Sequence, residues 1–190
     1  MNLPFADDTF VPQEFLKLKK EFNIEIAVET GTNKGFTTYW LADNFNLVYT
    51  IENNLKSLNE AEGNCQIFNN IIYLHGTSMD LLENLIYQIK DKRTIFFLDA
   101  HGRLPCPTPI ELSHIKNMVI KPIICIHDFY VPGNNFAWDS YEDFEYRWEN
   151  IETLINDIYG YNNYDYYYNS EANGYNVGVI YIKPKTNMIS

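Results

Sequence analysis

In "IAVETGTNKGFTTYWLADN", residues 26–44, an apolar run closes on Glu29, passes Gly31 and Gly35, and opens into a segment of helical period. A strand, a glycine loop and a helix in that order begin a βαβ unit. Ligands of such sheets bind outside the carboxyl ends of the parallel strands, so the loop is a candidate site. A dinucleotide loop sets backbone N–H groups and a helix N-terminus against a pyrophosphate, which a carboxylate at the strand end would repel. The pattern here is E-x-G-x-x-x-G. It suits a ligand that carries an ammonium and no phosphate, met by Glu29 directly or through water, with Gly31 and Gly35 letting the backbone come close.

The alternation continues along the chain. "IEIAVE" (24–29), "LVYTIE" (47–52), "NIIYLH" (70–75), "TIFFLD" (94–99) and "PIICIHD" (122–128) read as strands. Between them "GFTTYWLADNF", "NNLKSLNEAEGN", "SMDLLENLIYQIKDK" and "TPIELSHIKNM" read as helices, the third with a stripe of Leu81, Leu82, Leu85, Ile86 and Ile89. Strands apolar on both faces and separated by helices imply a parallel sheet covered on each side. Beyond this, a helix is expected from about Tyr141 to Tyr159. "YDYYYN" and "YNVGVIYIKP" then read as strands joined through "SEANG", which makes the last strand antiparallel.

With 190 residues, 46% hydrophobic and 16% aromatic, the chain has material for one sizeable core. A formal charge of -11 argues against nucleic acid or anionic lipid as a partner. The N-terminus carries acids in place of a basic leader, and no apolar stretch approaches the ~20 residues of a membrane span, so a soluble, cytoplasmic protein is expected. Cys65, Cys106 and Cys125 form neither a C-x-x-C pair nor an even set, which argues against a disulfide framework or a cysteine zinc site.

Glu52 closes the second strand, 23 positions after Glu29, and an ionised carboxylate there can accept from both hydroxyls of a ribose. An amino acid joined to a nucleoside satisfies both acids. In "VETGTNKGFTT", "VYTIENN", "YLHGTSMDLL", "IFFLDAHG" and "CIHDFYVPG", over roughly residues 24–133, the sequence resembles the class I S-adenosylmethionine-dependent methyltransferases, closest in pattern to catechol O-methyltransferase and to macrocin-type sugar O-methyltransferases. The resemblance implies a Rossmann-like, doubly wound α/β fold: a mostly parallel seven-stranded sheet, helices on both faces, and an antiparallel C-terminal strand. It divides one domain, 1–190, into an N-terminal helical segment (1–23), a cofactor core (24–133) and an acceptor-side loop, helix and hairpin (134–190). It also implies that Glu29, Gly31, Thr32 and Gly35 flank the methionine end of the cofactor. Glu52 with Asn53 would hold the ribose, Gly76 and Ser78 would lie by the adenine, and Asp99 would face the methyl group. Where the family has a middle glycine this chain has Asn33, a residue that tolerates left-handed backbone.

Methyl transfer from a sulfonium requires an aligned acceptor and help in losing its proton. Asp99 and Asp128 end two strands and are candidate ligands of Mg²⁺, which keeps several waters. The residue that supplies a third ligand in metal-dependent relatives is here Phe129. His127 or His101 could substitute, and a histidine moves preference toward Mn²⁺ or a similar ion. His101 is the candidate general base, in the place where catechol methyltransferases have a lysine nearby and this chain has Gly102. His75 is expected at the cofactor's edge or in solvent, and His114 in a structural role. "HGRLPCPTP", with Arg103, and "YVPGNNFAWDSYEDF", with Tyr130, Asn134, Asn135, Phe136 and Trp138, are the loops expected to shape the acceptor pocket.

The expected activity is therefore O-methylation of a small hydroxylated acceptor such as a sugar. The alternatives are a hydroxylase-like enzyme on the same fold and a non-catalytic binding module. The short stretch before Ile24 supplies no large cap, so a homodimer is an expected means of enclosing the pocket.

Overall fold

The computed structural model describes residues 4–101, 104–142 and 144–185. Its strands are β1 (Ile26–Thr30), β2 (Leu47–Glu52), β3 (Ile71–His75), β4 (Thr94–Leu98), β5 (Ile123–Ile126), β6 (Tyr164–Tyr168) and β7 (Ile180–Pro184). They form a seven-stranded sheet in the order β3-β2-β1-β4-β5-β7-β6. The first five strands are mutually parallel, β7 is antiparallel to β5, and β6 is antiparallel to β7. This is the doubly wound architecture that the strand and helix alternation implies.

Two hydrophobic layers hold the helices on the sheet. Ile26, Val28, Phe96 and Leu98 meet α4 (Ser78–Ile89), α5 (Thr108–Ile115) and α6 (Trp148–Tyr159). On the opposite face Ala27, Ile95 and Phe97 meet α1 (Phe10–Phe22) and α2 (Phe36–Asn44). Side chains alternate along β1 and β4 between these layers, so both faces of each strand carry apolar residues, and every residue of β4 is buried. Burial of one such aliphatic side chain contributes roughly 1.5–3 kcal/mol. The helix α3 (Leu55–Asn64) starts where the Asn54 side chain accepts from the Lys56 N–H at 3.0 Å.

The chain runs outward from β1 to β3, then returns to place β4 on the other side of β1. The loops after β1 and β4 therefore part, and a crevice opens between them.

Two expected elements are shorter in the structure. The helix drawn from Tyr141 begins only at Trp148, because Arg147 is extended (φ -131, ψ 153) and Ser140 pairs with Glu145 in a short bridge. The Arg147 guanidinium lies 3.9 Å from the Tyr130 ring centroid and 4.6 Å from that of Trp138, a cation–π arrangement that a helix through residue 147 would have to give up. The strand drawn from Tyr175 joins the sheet only at Ile180; Tyr175 instead donates its N–H to the Ala6 carbonyl at 3.1 Å. Ala6 belongs to a left-handed turn, Phe5 to Asp7, with φ between 53° and 61°, anchored by the buried Phe5 ring. Among the described residues no helix is long and apolar enough to cross a membrane. All three cysteines are free and buried.

Candidate active site

Two adjoining clefts open at the carboxyl ends of β1, β2, β4 and β5. The first, about 520 Å³, is lined by Gly31, Glu52, Asn53, Gly76, Ser78 and Asp99, with Leu104, Pro105 and Pro107 on its far wall. The second, about 550 Å³, is lined by Ala6, Thr32, Thr37, Asp99, His127, Asp128 and Tyr175 among others. Gly31, Asn33 and Asp99 belong to both, so the clefts meet at the switch between β1 and β4.

The loop after β1 is built on positive φ angles. Gly31 (φ +89) sits so close to β4 that a Cβ would press on the Asp99 carbonyl, and Asn33 (φ 48) takes the left-handed conformation expected of it. Gly35 (φ +80) leads into α2, where a Cβ would come within 2.8 Å of the Ala61 methyl group. Glu52 braces the loop, its Oε2 accepting from the Asn33 N–H at 2.8 Å and its Oε1 from the Asn54 N–H at 2.9 Å. A carboxylate offers about four acceptor sites, so Glu52 keeps capacity for hydroxyls in the first cleft.

Glu29 departs from expectation. It lines neither cleft and is 1% exposed, accepting from the Thr38 hydroxyl at 2.5 Å and the Thr50 hydroxyl at 2.7 Å. Thr50 also shares a 2.5 Å hydrogen bond with the Thr32 hydroxyl. Direct contact with a ligand's ammonium is thus corrected: Glu29 ties α2 and β2 to β1 beneath the loop. Burial raises its pKa to about 8 against the opposing effect of the two threonines, so it is largely protonated at neutral pH.

That shift carries a pH dependence. A carboxyl whose pKa is higher folded than unfolded contributes its full stability below the ordinary value near 4.5 and loses it as pH rises toward 8. Glu29→Gln keeps an acceptor for the threonines and does not titrate. Denaturant melts at pH 5 to 9 should show the variant gaining on the parent by at most roughly 1.4 kcal/mol per pH unit, and a constant difference would contradict the buried protonated form.

Beyond Asp99 lies a compact polar cluster. His101 Nε2 is 2.7 Å from Asp99 Oδ1 and 2.7 Å from Asp128 Oδ2, while His127 Nδ1 is 3.0 Å and 2.9 Å from the same two oxygens. Asp139 Oδ2 lies 3.2 Å from His101 Nδ1. Asp128 holds its place with a left-handed φ of 54°, and His127 leaves its buried Nε2 without a partner among the described residues. Burial alone would discharge all four groups, yet their mutual attraction prevails. Bonds to Asp128 and Asp99 raise His101 to about 11, and the Asp99 charge with bonds to both aspartates raises His127 to about 10. The His127 charge and the two histidine bonds hold Asp99 below its ordinary value, and the bonds from His101 and His127 take Asp128 well below it.

With no cation bound, His101 is therefore an imidazolium between carboxylates and has no lone pair with which to act as the expected free base. The four ligand atoms lie within 4.8 Å of one another. Cis ligands of a cation with bonds of about 2.0–2.1 Å stand about 2.9 Å apart, close to the four N···O separations here. Phe129, the residue after Asp128, is fully buried in the core and is no ligand.

The remaining candidates separate. His75 is exposed at the end of β3 and lines neither cleft, and the His114 Nε2 meets the Met79 carbonyl at 3.0 Å, a packing role. Of the residues picked from the acceptor-side loop, Tyr130, Asn134, Asn135, Phe136 and Trp138, none lines a described cleft; Trp138 pins the loop against Arg147 and Tyr130. Arg103 and Gly102 lie outside the described residues. Residues that sequence reasoning missed include Thr37, just past the glycine loop, and Tyr175 and the Ala6 turn, which carry no motif and reach the second cleft only through tertiary contacts.

The sequence matches no protein-family model and no curated protein. In structure the chain is similar to an O-methyltransferase from Bacillus cereus solved with SAH (TM-score 0.63, 18% identity, 97% of this chain and 85% of that one). It is also similar to cofactor-bound Rv0187 from MTB (TM-score 0.67, 18% identity, 95% and 82%) and to an rRNA methylase from Streptococcus thermophilus (TM-score 0.60, 15% identity, 92% and 95%). The fold is that of the class I methyltransferases.

Proposed function

We propose that the chain is an S-adenosylmethionine-dependent methyltransferase acting on an oxygen of a small hydroxylated acceptor. The observation that carries this reading is the meeting, at Asp99, of a cleft walled by Glu52 with a cluster of two carboxylates and two imidazoles. Among the described residues no lysine or arginine lines that cleft, which suits a cationic nucleoside and disfavours a pyrophosphate. The cofactor would supply an electrophilic methyl group. Glu52 and Asn53 would receive the ribose, Gly76 and Ser78 would border the adenine, and the loop through Gly31, Thr32 and Gly35 would enclose the methionine end. The second cleft would then align the acceptor, and the Tyr175 ring on its wall is suited to stacking on a sugar.

Asp99 and Asp128, with His127 and His101, would hold a divalent cation, whose chemistry is to favour the ionised form of a bound hydroxyl. Two imidazoles among the donors shift preference from Mg²⁺ toward Mn²⁺ or a similar ion. The same donors also suit non-haem iron oxygenases, so a hydroxylase-like reaction is the second reading. Incubation with methyl-labelled cofactor and a glycan panel separates the two, since only the first transfers label to the acceptor.

Glu52→Ala tests the cofactor assignment. Loss of charged hydrogen bonds should weaken S-adenosylmethionine binding by about 1.5–3 kcal/mol, read by calorimetry. Unchanged affinity would remove the ribose role, and a parent protein that binds no cofactor would overturn the whole reading.

A further inference from the structure

Glu111 is unexplained by the site described so far. It lies on α5 among the buried residues Thr108, Leu112 and Ile115, is 0% exposed, and neither carboxyl oxygen has a hydrogen-bond partner among the described residues. A buried carboxylate without a partner costs several kcal/mol, whereas a hydrocarbon side chain there would incur no such cost. Its polar neighbours are the hydroxyls of Ser78 and Thr30, which approach without closing a hydrogen bond.

One of these neighbours lines the first cleft, and the other is buried beside Gly31, which also lines it. Ser78 opens α4 and lines the cleft; Thr30 ends β1, its hydroxyl and carbonyl oxygens accepting from the Asp99 N–H at 3.3 Å and 3.1 Å. From the loop after β4 the charges of His101 and Asp99 act on Glu111, and Cys106 and Tyr146 complete its surroundings.

We infer that Glu111 is a positioning residue of the cofactor cleft: its carboxylate orients the Ser78 and Thr30 hydroxyls and places a buried negative charge beneath the cleft, favouring a sulfonium over the neutral thioether left after transfer. This rests on the function proposed above. In a poorly polarisable interior such a charge acts on a nearby cation with little screening. Burial raises the Glu111 pKa to about 7 against the two hydroxyls, so an arriving cation finds a group poised to ionise. S-adenosylmethionine and S-adenosylhomocysteine differ by that one charge, and the site would thereby release its product more readily than its substrate.

The test is calorimetric titration of the full chain, parent and Glu111→Gln, with each compound at pH 7.5. The glutamine variant should melt near the parent, lose about tenfold in affinity for the sulfonium and much less for the thioether, so that discrimination falls; Glu111→Asp should restore part of it. Equal losses for the two compounds, or none, would overturn the inference. Should Glu111→Gln not fold, Ser78→Ala supplies the second measurement: a larger loss of affinity for the sulfonium than for the thioether supports the hydroxyl link, and an equal loss for the two, or none, overturns it. A parent that binds neither compound would instead sink the proposed function, and this inference with it.

Discussion

Asp99→Asn is expected to lower Mn²⁺ affinity by more than about 100-fold and turnover by about 10²- to 10⁴-fold, a larger loss than that in S-adenosylmethionine affinity. Asp99 Oδ1 is shared by both imidazoles of the cluster, and an amide in its place supplies no charge and a weaker ligand. The folded protein should survive. His127, deprived of one of its two carboxylates, can shed its proton, so a destabilisation of about 1–3 kcal/mol is expected, less than that of stranding a buried charge. Calorimetric Mn²⁺ titration and label transfer to the acceptor panel measure the two effects, and EDTA treatment of the parent should reproduce the second. A variant that binds Mn²⁺ like its parent would dissociate Asp99 from any cation site.

Gly31→Ala should be the most damaging single methyl group in the chain's first half. The added Cβ would meet the Asp99 carbonyl oxygen head-on, 2.8 Å from its carbon and 3.1 Å from the Ala100 Cα, all backbone atoms that cannot rotate away. The position also holds φ +89, which costs an L-residue roughly 1–2 kcal/mol, and overpacking adds about 1–3 kcal/mol. Relief requires the loop after β1 to part from the end of β4, which deforms both clefts at their junction. Cofactor binding should therefore fall together with the melting temperature. Gly63 is the control: nothing lies within 4 Å of a Cβ there, and it sits inside α3, so Gly63→Ala should stabilise by about 0.4–1 kcal/mol. Equal behaviour of the two alanine variants would mean that the close approach of the loop to β4 is not real.

Much of this site is legible in the order of residues because local rules apply to it. Glu52, Asp99 and Asp128 stand where apolar runs stop, and in a parallel sheet those stops share one edge. Asn33 was readable as a left-handed position for the same local reason. Glu29 was not. It also ends a run, but whether it meets a ligand or is covered depends on Thr38 and Thr50, hydroxyls on α2 and β2 that close over it. His101 had the chemistry of a base until three carboxylates were gathered around it. Glu111 sits in a helix whose sequence gives no sign that its acid points inward.

The residue sequence by itself determined the alternation of buried strands and helices, the glycine loop and the acids at the strand ends, since backbone sterics and hydrophobic period act over a few neighbours. Tertiary structure alone decided which acids are open to a ligand, which are buried and protonated, and where the helix after residue 141 starts. Those outcomes turn on desolvation and on partners such as Arg147 with Tyr130, brought together only when the sheet assembles.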